Sequence, residues 1–158
     1  MKKNDRRILL ELVKDGRQSS SSIAKKLKIT RQTVAKKIDE FYKNGTIKNF
    51  TVKMSGEKFG LLLKAYILIK SDQLGDFKGK CTQEIRNWKE VSQIHLLFGT
   101  FDALIEILVR DRNELTQIVE RLYALGCVKN TETFVAYEAI KDEGHDPFEK
   151  ILRIGLAP

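Results

Sequence analysis

Proline is scarce in this 158-residue chain, with two residues, and cysteine and histidine are as rare, with two each. So little proline, in a composition with ample apolar residues, excludes a collagen-like fibre and wholesale disorder. Cys81 and Cys127 form no C-x-x-C pair and give no disulfide framework, which suits a reducing cytoplasm. His95 and His145 stand far apart, the cysteines fall at core spacing, and no metal site is indicated. Neither a Walker-type loop nor a G-x-G-x-x-G turn is present, so no phosphate cradle and no cofactor is expected. No apolar run approaches the roughly 20 residues of a spanning helix. The amino-terminal stretch MKKNDRRILLELV lacks a small-residue cleavage site and does not read as a signal peptide. The serines at 19–22 are better explained as helix caps than as nucleophiles, and catalysis is not expected.

What the chain does have is charge, unevenly placed. It is 42% hydrophobic and 32% charged, with a formal net charge of +8. Residues 1–60 hold 16 Lys+Arg against 6 Asp+Glu, whereas residues 61–158 hold 13 against 15. A strongly basic segment joined to a nearly neutral one points to nucleic acid or an anionic membrane surface. The length accommodates one ordinary domain or two small ones, and excludes a large barrel enzyme.

The basic segment reads as three short helices. Asn4 is placed to cap the first, whose apolar positions Ile8, Leu9, Leu12 and Val13 share a face, with Gly16 as its stop. The serine run caps a second carrying Ile23, Ala24 and Leu27. Thr30 caps a third carrying Val34, Ile38 and Phe41, closed by Asn44-Gly45. Ile47, Phe50 and Val52 read as a short strand or hairpin, and the whole as a winged helix-turn-helix over residues 1–53. Opposite its apolar stripe the third helix presents Arg31, Gln32, Thr33, Lys36 and Lys37, residue types that can hydrogen-bond base edges in the major groove of double-stranded DNA. Lys25, Lys26 and Lys28 would lie nearer the phosphates, where contacts position without reading sequence. A basic solvated bundle would share the composition, but the helix lengths, the A-x-x-L-x-I-T turn and the local charge agree on DNA.

Residues 54–62 read as a linker, polar with two glycines. Residues 63–141 then alternate between strand and helix patterns. Strands are expected over 63–70, 91–98, 103–110 and 127–137. Helices are expected from Phe77, Cys81, Ile85 and Trp88, and from Leu115, Ile118, Val119, Leu122 and Leu125. The order βαββαβ is a ferredoxin-like domain, making the fold α+β. With both helices on one face, the other would expose Tyr66, Leu68, Leu104 and Leu108, a surface that a second copy of the sheet can cover; a homodimer is expected. Residues 142–158 form a tail with partial helical spacing at Phe148, Ile151, Leu152 and Ile154. It either docks on a neighbouring subunit or is loosely ordered.

Taken together, Asp5 to Leu12 (DRRILLEL), Asp15-Gly16-Arg17, Ile23 to Thr33 (IAKKLKITRQT), Asn44 to Ile47 (NGTI), Phe59-Gly60, Gly99 to Asp102 (GTFD) and Val128 to Thr133 (VKNTET) resemble, in order and spacing, the Lrp/AsnC (feast/famine) transcriptional regulators. The resemblance covers roughly residues 4–141. It implies a DNA-binding amino-terminal domain and sheet-to-sheet dimers that assemble to octamers or other higher oligomers. It also implies an amino-acid effector held where dimers meet. Carried over by motif, the effector turn is Gly99, Thr100, Phe101 and Asp102, with Thr131 and Thr133 on the adjoining strand. Backbone N–H groups around Gly99 could receive a carboxylate and Asp102 could pair with an α-ammonium. The same four residues could equally be a plain β-turn. Two departures stand out: Lys28 where the family usually has glycine, and Asp39-Glu40-Phe41-Tyr42 in place of a basic, leucine-rich helix end. An effector-independent architectural DNA-binding protein is the alternative function. An enzyme or free-standing metabolite sensor of ferredoxin-like fold is a third.

Overall fold

The computed structural model describes residues 1–72, 75, 77–142, 144–154 and 156. The chain divides into two compact units, Met1–Lys53 with Lys141–Pro158, and Met54–Ile140.

In the first unit, α1 (Lys3–Lys14), α2 (Ser20–Leu27) and α3 (Arg31–Lys43) bury Ile8, Leu12, Ile23, Leu27, Val34 and Phe41 in one core. Helix α1 begins before Asn4, after an uncapped Lys2, so Asn4 is a helical residue and not the cap. The caps expected of the other two helices are formed. Ser19 Oγ accepts from the Ser22 N–H at 3.1 Å, and Thr30 Oγ1 accepts from the Thr33 N–H at 3.1 Å. Residues 47–55 form no strand. Ile47 donates its N–H to the Phe41 carbonyl and closes the bundle, but Phe50 and Val52 lie exposed, because an extended segment without a ladder partner is not a sheet.

The tail adds a fourth helix, α6 (Asp146–Ile154), to this same unit. Leu152 is buried in the core with Ile8 and Leu9, and the Arg6 guanidinium donates to the Ile151 carbonyl at 3.3 Å. A cation there also suits the negative end of the helix dipole. Residues 143, 155, 157 and 158 of the tail lie outside the described residues.

The second unit is a four-stranded antiparallel sheet in the order β2-β3-β1-β4, built from β1 (Leu63–Ser71), β2 (Val91–Leu96), β3 (Ala103–Val109) and β4 (Val128–Val135). A π-helical turn, Phe77–Cys81, runs into α4 (Thr82–Arg86), and α5 (Arg112–Ala124) follows β3. Ala65, Ile67 and Ile69 of β1 pair in register with Ile107, Ile105 and Ala103 of β3. All six are buried, and Phe77, Ile85, Ile118 and Leu122 from the helices join them in one core. The alternate residues Tyr66, Leu68, Leu104 and Leu108 fall on the opposite face and stay half-buried, as period-2 alternation requires. The segment expected to be a linker contributes here. Its 3₁₀ turn Gly56–Phe59 packs so closely that a Cβ on Gly56 would lie 3.2 Å from a Leu108 methyl and 2.9 Å from the Leu61 carbonyl.

Cys81 and Cys127 are joined in a disulfide, which corrects the expectation of two unpaired core cysteines and removes the cysteine count as a reason to infer a reducing compartment. A separation of 46 residues hides the proximity. Cys81 ends the turn that follows β1, and Cys127 leads into β4, the strand paired with β1. Closing a loop of that length stabilises the folded unit by about 4 kcal/mol in the chain-entropy account. Full reduction, or Cys81→Ser with Cys127→Ser, is therefore expected to lower the urea midpoint of the second unit by an amount worth about 3–4 kcal/mol. An unchanged midpoint would show that the bond adds nothing.

Candidate nucleic-acid interface and effector turn

Helix α2 ends on Lys28, whose φ of 56° and ψ of 47° put it in the left-handed region. It is the single non-glycine residue with positive φ among those described. Lysine thus takes the conformation that glycine adopts more easily, at a cost of roughly 1 kcal/mol, and the chain still makes the tight turn that sets α3 against α2. The Ile29 N–H returns to the Ala24 carbonyl at 3.1 Å and Thr30 then caps α3. Both ends of the connection are therefore hydrogen-bonded, and α3 is held by its cap as well as by burial of Val34 and Phe41.

The outer surface of α3 carries Arg31, Gln32, Ala35, Lys36 and Asp39, all exposed. At 100° per residue these five fall within an arc of about 140°, centred away from the buried stripe. Thr33 is exposed but its hydroxyl is shared with Thr30 Oγ1 at 2.8 Å, so it serves the cap. Lys37 sits differently from its expected place. Its ammonium is half-buried and paired with Glu40 at 2.7 Å and Asp5 at 3.6 Å. The hydrogen bond to Glu40 raises its pKa above the ordinary lysine value. Lys26 is likewise engaged, donating to Glu11 at 2.9 Å and to Gln18 at 2.6 Å. Glu11 also receives Lys14 at 3.1 Å, and these bonds, that of Lys26 first, hold its carboxyl below the usual glutamate range. Lys25, Lys28 and Lys36 are exposed cations without a hydrogen bond or ion pair among the described residues, although the Lys36 charge also helps to lower the Glu40 carboxyl. Of the eight residues expected to meet DNA, then, Arg31, Gln32, Lys36, Lys25 and Lys28 are exposed and uncommitted, and Lys26, Lys37 and the Thr33 hydroxyl have partners inside the unit. Ala35 and Asp39 share the outer arc and were not among the expected contacts; counting four residues on from Arg31 and Ala35 is the signal that finds them.

The second candidate site is the turn between β2 and β3. Gly99 has a φ of 152°, a conformation that favours glycine, and the space around it is open. Asp102 closes the turn. Its N–H donates to the Ile69 carbonyl at 2.9 Å, its carbonyl accepts from the Leu97 N–H at 2.8 Å, and Oδ2 accepts from both the Ser71 N–H and the Ser71 hydroxyl at 2.8 Å. Oδ1 has a longer contact with Lys70 Nζ at 3.4 Å. The Ser71 amide above all, with the Ser71 hydroxyl and Lys70, holds this carboxyl below the ordinary aspartate value despite partial burial. Asp102 thus staples the turn to the end of β1. Ser71 and Lys70 were missed because they lie 31 and 32 residues away in sequence. Strand register would have found them, since Ile69 opposes Ala103.

Thr131 and Thr133 are not beside the turn. Ile69 lies between Ala103 on one side and Thr131 on the other, which puts β4 roughly 10 Å from β3. The Thr131 hydroxyl is 3.2 Å from the Tyr123 hydroxyl of α5, on the helix-covered face, and Thr133 opposes the buried Ile67.

A family model described as winged helix-turn-helix DNA-binding matches residues 1–48, and one described as the Lrp/AsnC ligand binding domain matches residues 64–145. The chain belongs to the Lrp/AsnC family. It is a DNA-binding transcriptional regulator, of a family that is not enzymatic. An HTH-type transcriptional regulator of Pyrococcus horikoshii is 32% identical over 143 residues, covering 89% of this chain and 95% of its own. The proline dehydrogenase transcriptional activator of Rhizobium radiobacter is 28% identical over 145 residues, covering 89% and 91%. Among solved structures, a transcriptional regulator of Neisseria meningitidis in complex with L-Met superposes with a TM-score of 0.88 at 20% identity, covering 96% of this chain and 99% of that one. The likeness shows a shared fold, and in this chain the ferredoxin-like sheet follows the helix-turn-helix. No described helix is long and apolar enough to cross a membrane.

The Asp102 staple carries a pH dependence. Its pKa is depressed in the folded state, so its contribution is present above about pH 4 and is lost as the pH falls and the carboxylate protonates. Asp102→Asn is expected to cost about 1–2 kcal/mol at pH 7 and less at pH 3. Melting curves of the two proteins at both pH values check this; an equal difference at each would remove the charged staple.

Proposed function

We propose that the protein reads specific operator sites in double-stranded DNA as a cytoplasmic homodimer, and that its dimers assemble further, to an octamer or another higher oligomer. We further propose that an amino acid held near Gly99–Asp102, where dimers meet, controls that assembly. The observation that carries the DNA part is the outer arc of α3, where Arg31 and Gln32 stand free at the capped start of the helix. Arg matches the guanine edge and Gln the adenine edge in the major groove. Lys25 and Lys28 flank this arc as phosphate ligands. The pairing of Lys26 and Lys37 with carboxylates of their own unit supports reading over coating, because it withdraws two cations from a phosphate-only interface.

The dimer rests on the open face of the sheet. Tyr66, Leu68, Leu104 and Leu108 are half-buried and Phe134 of β4 is 53% exposed beside Tyr66. Charge on this face comes from Lys64 and Glu106, paired at 3.2 Å, from Glu132, which opposes Leu68, and from Lys70 at the end of β1. A second sheet laid on it would bury the band, and two reading helices would then address half-sites about one helical turn apart.

Two features support the effector reading. The N–H groups of Gly99, Thr100 and Phe101 make no hydrogen bond among the described residues, and an amino-acid carboxylate needs such donors. Asp102 Oδ1 has only its long contact with Lys70, which leaves it able to accept from an ammonium while Oδ2 keeps the turn closed. An effector acts only by binding one assembly better than another.

Binding to selected and random duplexes at graded salt tests the DNA reading. A regulator is expected to prefer its site by about a thousandfold or more. Equal affinity for all duplexes, with a steep salt slope, would instead identify an architectural protein.

For the effector, melting curves with each of the twenty amino acids are expected to single out one or a few. A ligand at about 100 times its Kd adds about 2.7 kcal/mol. If none moves the curve, the effector proposal fails. Leu68→Lys with Leu104→Lys is expected to lower the mass seen by light scattering, and an unchanged mass would refute the sheet-to-sheet dimer.

A further inference from the structure

Residues 1–53 contain five carboxylates, and four of them have partners. Asp5 meets Lys37, Glu11 meets Lys14 and Lys26, Glu40 meets Lys37, and Asp15 accepts from the Arg17 N–H at 2.9 Å. Asp39 has neither a hydrogen bond nor an ion pair among the described residues. It is exposed on the outer arc of α3, near the middle of that arc and one turn beyond Ala35. Its neighbour Glu40 is drawn aside and neutralised by Lys37. Residues 1–53 thus pair every other acid and leave one bare carboxylate on the surface that faces a polyanion in the proposed function.

Beside phosphates a bare carboxylate only repels. In the major groove it has one favourable counterpart. Guanine shows two acceptors there and thymine an acceptor and a methyl group, all unfavourable to a carboxylate; adenine sets an acceptor next to its amino donor. Cytosine alone presents an amino donor with no acceptor beside it. Asp39 lies about 12 Å along the helix from Arg31, a span of roughly three to four base pairs. A contact from Asp39 would therefore fall on a different base pair from those read by Arg31 and Gln32.

We infer that Asp39 is a specificity-determining residue, accepting a hydrogen bond from the N4 amino group of one cytosine in each half-site and repelling the other bases at that position. This rests on the operator-reading proposal. Ala35, between the two reading ends, adds only a methyl and leaves the carboxylate room to approach.

The test is selection from a random duplex pool with the full chain, wild type against Asp39→Asn, Asp39→Ala and Asp39→Glu. These exposed substitutions leave the fold intact, which a melting curve verifies. Wild type is expected to enrich a site with cytosine at one position per half-site, favoured about tenfold over other bases. Asp39→Ala and Asp39→Asn are expected to lose the preference at that position alone, while gaining affinity for random duplex as a like charge is removed. Asp39→Glu should retain a cytosine preference.

A chemical cross-check uses 2-pyrimidinone, which lacks the amino group, at the selected cytosine. It should weaken wild type as much as Asp39→Ala does, and should weaken Asp39→Ala no further. Independent, additive losses would overturn the direct contact. A wild-type site whose every position is unchanged in Asp39→Ala would overturn the inference and leave operator reading standing. Enrichment of no site by wild type would overturn both.

Discussion

Strand β1 is the constraint on which the second unit depends, because it is hydrogen-bonded on both sides, to β3 and to β4. Side chains alternate with a period of two, so fixing β1 in register fixes which residues of three strands meet the helices. Ala65, Ile67 and Ile69 go inward with Ile105 and Ile107, and Tyr66 and Leu68 go outward with Leu104. A slip of one residue would bury Lys64 and Lys70 and expose the isoleucines. The same register brings Ser71 to Asp102 and so shapes the turn at the end of the sheet. The core, the open face of the sheet and the Gly99–Asp102 turn are three consequences of one pairing.

The first unit is organised by a different economy, that of charge. Fifteen cations among its first 53 residues would repel one another, and the carboxylates relieve this selectively. Glu11 gathers Lys14 and Lys26 on the side of α1 and α2, while Asp5 and Glu40 hold Lys37. Arg6 is turned to the carbonyl of Ile151. The cations left uncommitted include Lys25, Lys28, Arg31 and Lys36, which gather around the helix-turn-helix. The net charge of the segment overstates what DNA meets, and the pairing pattern says which part of it remains.

Much of this was legible in the sequence. Apolar spacing gave the helices and strands in their order, and the serine and threonine caps declared two of the helix starts, because a cap is a local device whose partners lie three residues away. What was hidden was long-range. The Cys81–Cys127 bond spans 46 residues, and Asp102 finds Ser71 across 31. The docking of Leu152 on α1 crosses nearly the whole chain. The carboxylate partners of Lys26 and Lys37 were hidden as well, because residue type and spacing report where a cation can point but not which carboxylate of a neighbouring helix is nearer. The strand expected at Phe50 and Val52 failed for a related reason, since strand propensity supplies no partner.

These pairings separate affinity from discrimination in the reading head. Phosphate contacts of the kind proposed for Lys25 and Lys28 fall off with salt and treat every duplex alike. Arg31 and Gln32 can reward a matching edge, but a cationic surface gains something from any DNA, so reward alone discriminates weakly. Discrimination is sharpened by an element that penalises the wrong partner, and an uncompensated negative charge on the reading face has that property. The left-handed Lys28 fits the same division. Its backbone strain is tolerated at a turn where glycine would be easier, and what the chain gains there is one more charge at the mouth of the helix-turn-helix. In the proposed interface affinity is therefore carried by charges at the edge of the surface, and choice by the few unpaired polar groups at its centre.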